Sequence, residues 1–216
     1  MPYHGNVRVG GPADLRDLAD LQITKIAVGP MENNAYVLRS PQTGETLLID
    51  AAAEPDRLLG VVEDGIDKVV TTHRHPDHWQ ALAAVVDATG ARTAAHALDA
   101  PELPVAVDDL LDDGATIAVG NARLEVIHLV GHTPGSIALL YDDPRERAHL
   151  FTGDSLFPGG PGKTTNQADF TSLMDDLEDK VFGRLPDETW VYPGHGKDTT
   201  LGVERPHLAE WRARGW

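Results

Sequence analysis

The stretch TTHRHPDHWQ holds four side chains of the types that bind metal ions, all within six consecutive positions. Along an extended strand the side chains of His73 and His75 point to the same side. Pro76 favours an extended residue before it and the start of a helix after it, which places Asp77 and His78 in the first helical turn beside the same pocket. Crowded imidazoles and a carboxylate are costly to bury unless they share a cation, so this junction predicts a metal site rather than a solvated loop.

Further metal ligands are expected from three other loops. His132 in VGHTPGS, Asp154 in LFTGDSLF and His195 in VYPGHG each follow a predicted strand. Each is flanked by Gly or Pro, which permit the tight backbone that brings loops together over an ion. Alone, each would be read as a solvated loop residue, but their joint placement at strand ends favours one shared site.

The composition limits the chemistry and the partners. The chain contains no cysteine, so disulfides, thiol nucleophiles and thiolate ligands are excluded, and a bound metal must use imidazole and carboxylate. With 34 acidic and 18 basic residues, the formal charge of -16 opposes nucleic acid and anionic membrane surfaces. No stretch approaches the roughly 18 consecutive apolar residues of a membrane helix, and the start lacks the layout of a secretion signal. We therefore expect a cytoplasmic protein.

Hydrophobic periodicity predicts a strand-rich chain with interleaved helices. Strands are predicted at 23–28, 35–38, 46–49, 68–72, 115–119, 122–129, 136–141, 148–152 and 189–192. Helices are predicted at 58–62, 79–86, 170–181 and 203–213. Two strand-rich halves of this kind suggest two packed sheets with helices outside, in a single domain of residues 1–216 whose core runs from about 22 to 200.

The motifs HRHPDH, GH, GDSLF and PGHG, in this order, resemble the metallo-β-lactamase superfamily, and within it the glyoxalase II-like hydrolases. The resemblance runs from about residue 23 to residue 200. It implies an α/β fold of four layers, the αβ/βα sandwich, with a metal site at the edge where the two sheets meet.

The resemblance also implies which residues bind which metal. One ion would be held by His73, His75 and His132, a second by Asp77, His78 and His195, and Asp154 would bridge them. Two zinc ions are expected, with iron or manganese as alternatives. A metal-bound hydroxide would then attack an acyl carbon, and Asp77 would act in catalysis by orienting the water or carrying a proton to the leaving group.

Departures from the family pattern bear on the substrate. The absence of cysteine argues against the β-lactamases that use a zinc-bound cysteine, and only 21 residues follow His195, where glyoxalase II carries a helical domain that helps hold glutathione. We expect a small thioester, ester or lactone substrate, and a monomer or homodimer. Asp50 ends a predicted strand but lacks the usual following glycine, so its role stays open.

Two alternatives stay open. Persulfide dioxygenases of the same superfamily use one iron on two histidines and an aspartate, a set available in His73, His132 and Asp154. A non-catalytic metal-binding module would keep the fold without turnover.

Several other features favour simpler interpretations. GGPGKTT resembles a P-loop, but the first required glycine is replaced by Phe157. Lys163 could meet an anionic substrate group or be merely solvated, and Tyr192 could line the pocket or pack in the core. His128 is expected to be half-buried in its strand. Ligand spacing is absent for His4, His96, His149 and His207.

Overall fold

The first sheet has seven strands in chain order. The computed structural model describes residues 3–62 and 65–215. The strands are β1 (Asp14–Asp17), β2 (Gln22–Val28), β3 (Asn33–Arg39), β4 (Thr46–Ile49), β5 (Lys68–Val70), β6 (Arg92–Ala95) and β7 (Asp109–Leu110). β1 to β4 pair antiparallel as a meander, and β4 to β7 pair parallel.

The second sheet has six strands in the order β15-β14-β11-β10-β9-β8, and β12 and β13 form a separate two-stranded hairpin. The strands are β8 (Thr116–Val119), β9 (Ala122–His128), β10 (Ile137–Asp142), β11 (Ala148–Gly153), β12 (Leu156–Phe157), β13 (Gly160–Pro161), β14 (Trp190–Pro193) and β15 (Thr199–Thr200). β11 and β14 pair parallel, so their carboxyl ends reach the same edge.

The helices connect the parallel strands and cover the sheets. They are α1 (Pro55–Leu59), α2 (Leu82–Thr89), α3 (Gln167–Asp176), α4 (Leu201–Glu204) and α5 (Leu208–Arg214). Short 3-10 helices occupy Pro76–His78, Ala100–Glu102 and Arg205–His207, and a π-helical segment, Leu177–Phe182, continues α3. Within the described ranges, no helix is long and apolar enough to cross a bilayer.

Side-chain alternation along the strands builds the layers. Leu38 of β3 and Leu139 of β10 belong to one buried cluster between the two sheets. Their neighbours Val37 and Leu140 point the other way. Val37 packs in a cluster that includes residues of α1 and α2, and Leu140 packs in one that includes residues of α3 and α5. The result is the predicted four-layer α/β sandwich, with buried apolar clusters on both faces of each sheet.

Some predicted elements are wrong in extent. The helix predicted at 58–62 instead begins at Pro55 and ends at Leu59, since proline presets the first helical turn. The predicted first turn of one longer helix at Pro76 is a separate 3-10 turn that ends at His78, before α2. The sequence did not predict β1, β6 or β7, because their short DLRD, RTAA and DL segments carry little β-branched or aromatic signal. The single-domain division stays a prediction.

Candidate metal centre

The seven predicted ligand residues converge on one edge of the sandwich. The loop after β5 and the adjoining 3-10 turn carry four of them, whereas His132, Asp154 and His195 follow β9, β11 and β14. The β5 loop crosses to the second sheet, where the backbone N–H of Ile137 donates to the Thr72 carbonyl oxygen at 3.0 Å. This hydrogen bond joins the two sheets beside the point where the seven side chains meet.

His73, His75 and His132 form a first triad. The Nε2 atom of His132 lies 2.9 Å from Nδ1 of His75 and 3.2 Å from Nε2 of His73. Three ligand atoms, one from each residue, lie within 4.8 Å of one another. His73 and His132 are buried, and His75 is partly exposed. Three imidazole nitrogens are therefore directed at one small volume.

Asp77, His78 and His195 form a second triad. The Nε2 atom of His195 lies 3.3 Å from Nε2 of His78 and 3.4 Å from Oδ2 of Asp77. Three ligand atoms of this set also lie within 4.8 Å of one another. His78 is fully buried, whereas the Asp77 and His195 side chains are 17% and 23% exposed, so this triad faces the solvent side of the site.

Asp154 lies between the two triads. Its Oδ1 atom is 3.3 Å from Nε2 of His78, and its Oδ2 atom is 3.5 Å from Nε2 of His195. On the other side, Oδ2 lies 3.7 Å from Nε2 of His132. One carboxylate thus approaches imidazoles of both triads, as a ligand shared by two cations would.

Asp50 supports one imidazole of each triad. The Nδ1–H group of His78 donates to Oδ2 of Asp50 at 2.8 Å. The Thr72 hydroxyl donates to the same oxygen at 2.8 Å and accepts from Nδ1–H of His73 at 3.0 Å. Asp50 is 1% exposed and has a positive φ of 59°, which is strained for a residue with a side chain. Its carboxylate therefore fixes the inward direction of two Nε2 atoms.

Two backbone carbonyls fix two further imidazoles. The Nδ1–H group of His132 donates to the carbonyl oxygen of Lys163 at 2.6 Å, and that of His195 donates to the carbonyl oxygen of Met31 at 3.0 Å. The sequence offers the ammonium group of Lys163 as a contact for an anionic substrate, but this side chain is exposed and the Lys163 carbonyl makes the contact with the site.

Two supporting residues were not found from the sequence. The amide of Asn33 donates to Oδ2 of Asp77 at 2.9 Å. Oδ2 of Asp99 accepts from the backbone N–H of Arg74 at 3.0 Å and from the Thr133 hydroxyl at 2.5 Å. Asp99 thus ties together the two loops of the first triad. Neither residue lies near a motif, so no spacing signal could have identified it.

The donor set fits a divalent metal ion. His73 and His132 each use Nδ1–H for an outward hydrogen bond, so in their neutral forms two Nε2 lone pairs face each other at 3.2 Å. The Oδ1 atom of Asp154 is buried and accepts no hydrogen bond from the described residues. Lone pairs that face one another beside an unsatisfied carboxylate oxygen are stabilised by a shared cation.

Comparison with known proteins identifies the family. The model of the metallo-beta-lactamase superfamily matches residues 28–195. The chain belongs to the metallo-β-lactamase superfamily. A hydroxyacylglutathione hydrolase of Polaromonas sp. (strain JS666 / ATCC BAA-500) is 37% identical over 166 residues, which cover 76% of this chain. The matched part spans 62% of the length of that relative.

Two solved structures of this superfamily fold are similar over most of their length. ETHE1 from Myxococcus xanthus superposes with a TM-score of 0.76 at 29% identity, covering 86% of this chain and 82% of that one. TTHA1623, solved in a di-iron-bound form, superposes with a TM-score of 0.67 at 32% identity, covering 84% of this chain and 96% of that one.

The protein groups by themselves shift the imidazole pKa values of His73 and His132 down and those of His78 and His195 up. Burial lowers the pKa values of His73 and His132, which keeps their lone pairs available at neutral pH. Burial opposes the charged form of His78 too, but Asp50 and Asp154 outweigh it and raise its pKa to about 10. The pKa of His195 is likewise raised to about 9 by Asp154 and Asp77 against the effect of burial.

The other candidates from the sequence have roles outside the two triads. His128 is half-buried, as predicted, and its ring stacks on His96 at 3.9 Å. Tyr192 is a core residue between the sheets, where its hydroxyl accepts from Arg16 at 2.8 Å. The GGPGKTT segment begins in the β12-β13 hairpin. Among the described residues, the groups suited to a metal draw only on the seven side chains of the two triads and Asp154.

Replacing Asp50 with asparagine is expected to lower metal affinity by about 10- to 100-fold. An amide oxygen accepts from His78 more weakly than a carboxylate, and it holds Thr72 and His73 less firmly. Competition against a chromophoric chelator measures the change. The control is Asp175→Asn, a 63% exposed carboxylate on α3. Equal affinities in the two variants would contradict the supporting role of Asp50.

Proposed function

We propose that this protein is a binuclear metal-dependent hydrolase that cleaves a small thioester, ester or lactone. One observation carries the proposal: two triads of ligand atoms flank Asp154, whose carboxylate approaches both. Paired cations with a shared ligand are typical of hydrolytic sites. The similarity to hydroxyacylglutathione hydrolases supports the same reaction class.

Different residues of the site would bind the two ions and assist the reaction. The ligands of the first ion would be His73, His75 and His132, those of the second Asp77, His78 and His195, with Asp154 shared. Bound divalent ions supply a Lewis acid for the acyl oxygen and lower the pKa of a water molecule to about 7. Asp77 is partly exposed and held by Asn33, and we assign it to orienting the attacking water and passing a proton to the leaving group.

We further propose zinc as the metal, because imidazole and carboxylate, the ligand types of this site, both bind zinc. Such a set also suits iron and manganese, and TTHA1623 has been solved with two iron ions. The substrate would be a small molecule rather than nucleic acid, consistent with the charge of -16. We propose a cytoplasmic monomer or homodimer that does not act at a membrane.

A mononuclear-iron oxidoreductase that acts on persulfides is the second candidate. Nε2 of His132 lies 3.2 Å from Nε2 of His73 and 3.7 Å from Oδ2 of Asp154. These three residues would supply the two histidines and the one carboxylate that bind iron in such enzymes. The similarity to ETHE1 leaves this reading open. A non-catalytic metal-binding module is the third, and only an activity measurement separates it from the enzymes.

The deciding experiment measures metal content and turnover together. Protein purified without added metal is analysed for zinc, iron and manganese per chain, then assayed at full occupancy with thioesters, esters and lactones. Two zinc ions per chain with hydrolysis of one substrate class are expected. One iron per chain with thiol-dependent oxygen uptake would rule out the hydrolase and support the oxidoreductase. Full occupancy without turnover in either assay would leave the binding module.

The Asp77→Asn variant is expected to lose at least about 100-fold in turnover, since both a ligand charge and a proton acceptor are removed. The side chain keeps its shape, so circular dichroism should be unchanged. Turnover is measured at saturating metal and compared with the Asp175→Asn control. Wild-type turnover in Asp77→Asn would rule out the catalytic role of Asp77.

A further inference from the structure

We propose that Glu204 is a positioning residue. It holds the hairpin 156–161, formed by β12 and β13, as one wall of the substrate site. Phe157 on this hairpin would then offer an apolar surface to the acyl group of the substrate. The substrate part of this inference rests on the hydrolase proposed above. The contact between Glu204 and the hairpin does not.

The hairpin connects two parts of the metal centre. Asp154 lies just before it along the chain, and Lys163, whose carbonyl orients one imidazole of the first triad, lies just after it. The ring of Phe157 lies 6.3 Å from the ring of His195, measured between centroids. The hairpin therefore borders the more exposed second triad.

Glu204 reaches the tip of this hairpin from the end of α4. It is 2% exposed. Its Oε2 atom accepts from the backbone N–H of Gly159 at 2.8 Å, and its Oε1 atom accepts from the Thr199 hydroxyl at 2.6 Å. Both donors are neutral groups. A buried carboxylate is costly, and its hydrogen bonds are the part of its environment that offsets this cost. The Glu204 carboxylate therefore links the hairpin tip to β15 through these two hydrogen bonds.

Helix α5 covers the same tip from a second direction. A Cβ atom at Gly160 would lie 2.9 Å from Nη2 of Arg214 and 3.8 Å from Nε1 of Trp211. Trp211 is 1% exposed and belongs to the core cluster outside the second sheet. The C-terminal segment 199–214 therefore sets where the hairpin tip lies.

Loosening the tip should move Phe157 more than Asp154. The start of the hairpin is held by β-structure, because Gly194 N–H donates to the carbonyl oxygen of Gly153 at 2.8 Å. The backbone N–H of Ser155 also donates to the Thr152 carbonyl oxygen at 3.0 Å. These bonds are independent of Glu204. The expected consequence is weaker substrate binding with the metal ligands still in place.

Four variants of the metal-loaded protein test the inference: Glu204→Ala, Glu204→Gln, Phe157→Ala and the control Glu210→Ala, whose carboxylate is exposed beside His207. Hydrogen exchange of the Gly159 amide, followed by NMR, is expected to be at least about 10-fold faster in Glu204→Ala. Exchange should return close to the wild-type rate in Glu204→Gln, since the amide oxygen can still accept from Gly159. Glu210→Ala should leave it unchanged.

The kinetic expectation is a split between KM and kcat. For a thioester with an apolar acyl group, KM should rise by about 3- to 10-fold in Glu204→Ala and Phe157→Ala, with kcat within about 2-fold and metal content unchanged. Glu204→Gln should restore KM. A fall in kcat or in metal content at constant KM would rule out the hairpin as a wall of the substrate site. It would show that the variants act on the metal centre instead.

The two proposals can fail separately. Unchanged exchange of the Gly159 amide in Glu204→Ala overturns the positioning role, whatever the activity. A wild-type protein that hydrolyses nothing at full metal occupancy counts against the hydrolase and its substrate wall, while the exchange rates still decide whether Glu204 holds the hairpin.

Discussion

Replacing Asp154 with asparagine is expected to abolish binding of paired metals and to lower turnover by about 1000-fold or more. Asp154 approaches His78 and His195 of the second triad and His132 of the first. Asparagine keeps the shape but removes the negative charge that both cations would share. Loss of a partner that only orients a ligand typically costs about 10- to 100-fold, and loss of a shared ligand should cost more.

The measurements for this variant are metal content by mass spectrometry after dialysis and turnover at saturating metal. Circular dichroism checks that the fold is kept, and Asp175→Asn controls for the loss of a carboxylate elsewhere. Two ions per chain and turnover within about 3-fold of the wild type would show that Asp154 does not bridge the triads.

Removing the metal from the wild-type protein is expected to abolish turnover and to lower the free energy of unfolding. A ligand at about 1000 times its dissociation constant stabilises the state that binds it by about 4 kcal/mol. For a chain of this size that corresponds to a fall in Tm of about 10 °C. The physical reason is local: without a cation, the Nε2 atoms of His73 and His132 face each other at 3.2 Å.

Differential scanning calorimetry before and after chelation measures this effect, and adding zinc back should restore both Tm and turnover. The Asp154→Asn variant is the matched control. Because its site should no longer hold paired metals, chelation should change its Tm little. An unchanged Tm and full turnover in protein proved free of metal would contradict a metal-dependent hydrolase.

Much of the candidate site could be predicted from the sequence because its residues lie in short, recognisable motifs. His73, His75, Asp77 and His78 lie within six positions next to the end of a predicted strand. Glycines and prolines mark the loops of His132, Asp154 and His195. These motifs were sufficient to identify the superfamily and, with it, the four-layer fold.

The extents of the short helices and strands could not be predicted from the sequence. β6 and β7 have weak strand propensity and exist because they add to the edge of an established parallel sheet, with Ala94 pairing with Asp109. The helix predicted at 58–62 shifted to Pro55–Leu59 because its start is set by a proline and its packing against α2 rather than by hydrophobic periodicity. Tertiary contacts decide such boundaries.

The sequence by itself determined the candidate metal ligands and the family, because imidazole and carboxylate groups follow directly from residue identity and their motifs from spacing. Only the tertiary structure decided which groups support those ligands: Asp50, Asn33, Asp99 and the carbonyls of Met31 and Lys163. A backbone carbonyl has the same chemistry at every residue, and a distant carboxylate gains its partner only when loops meet. Such contacts leave no local pattern for a sequence to reveal.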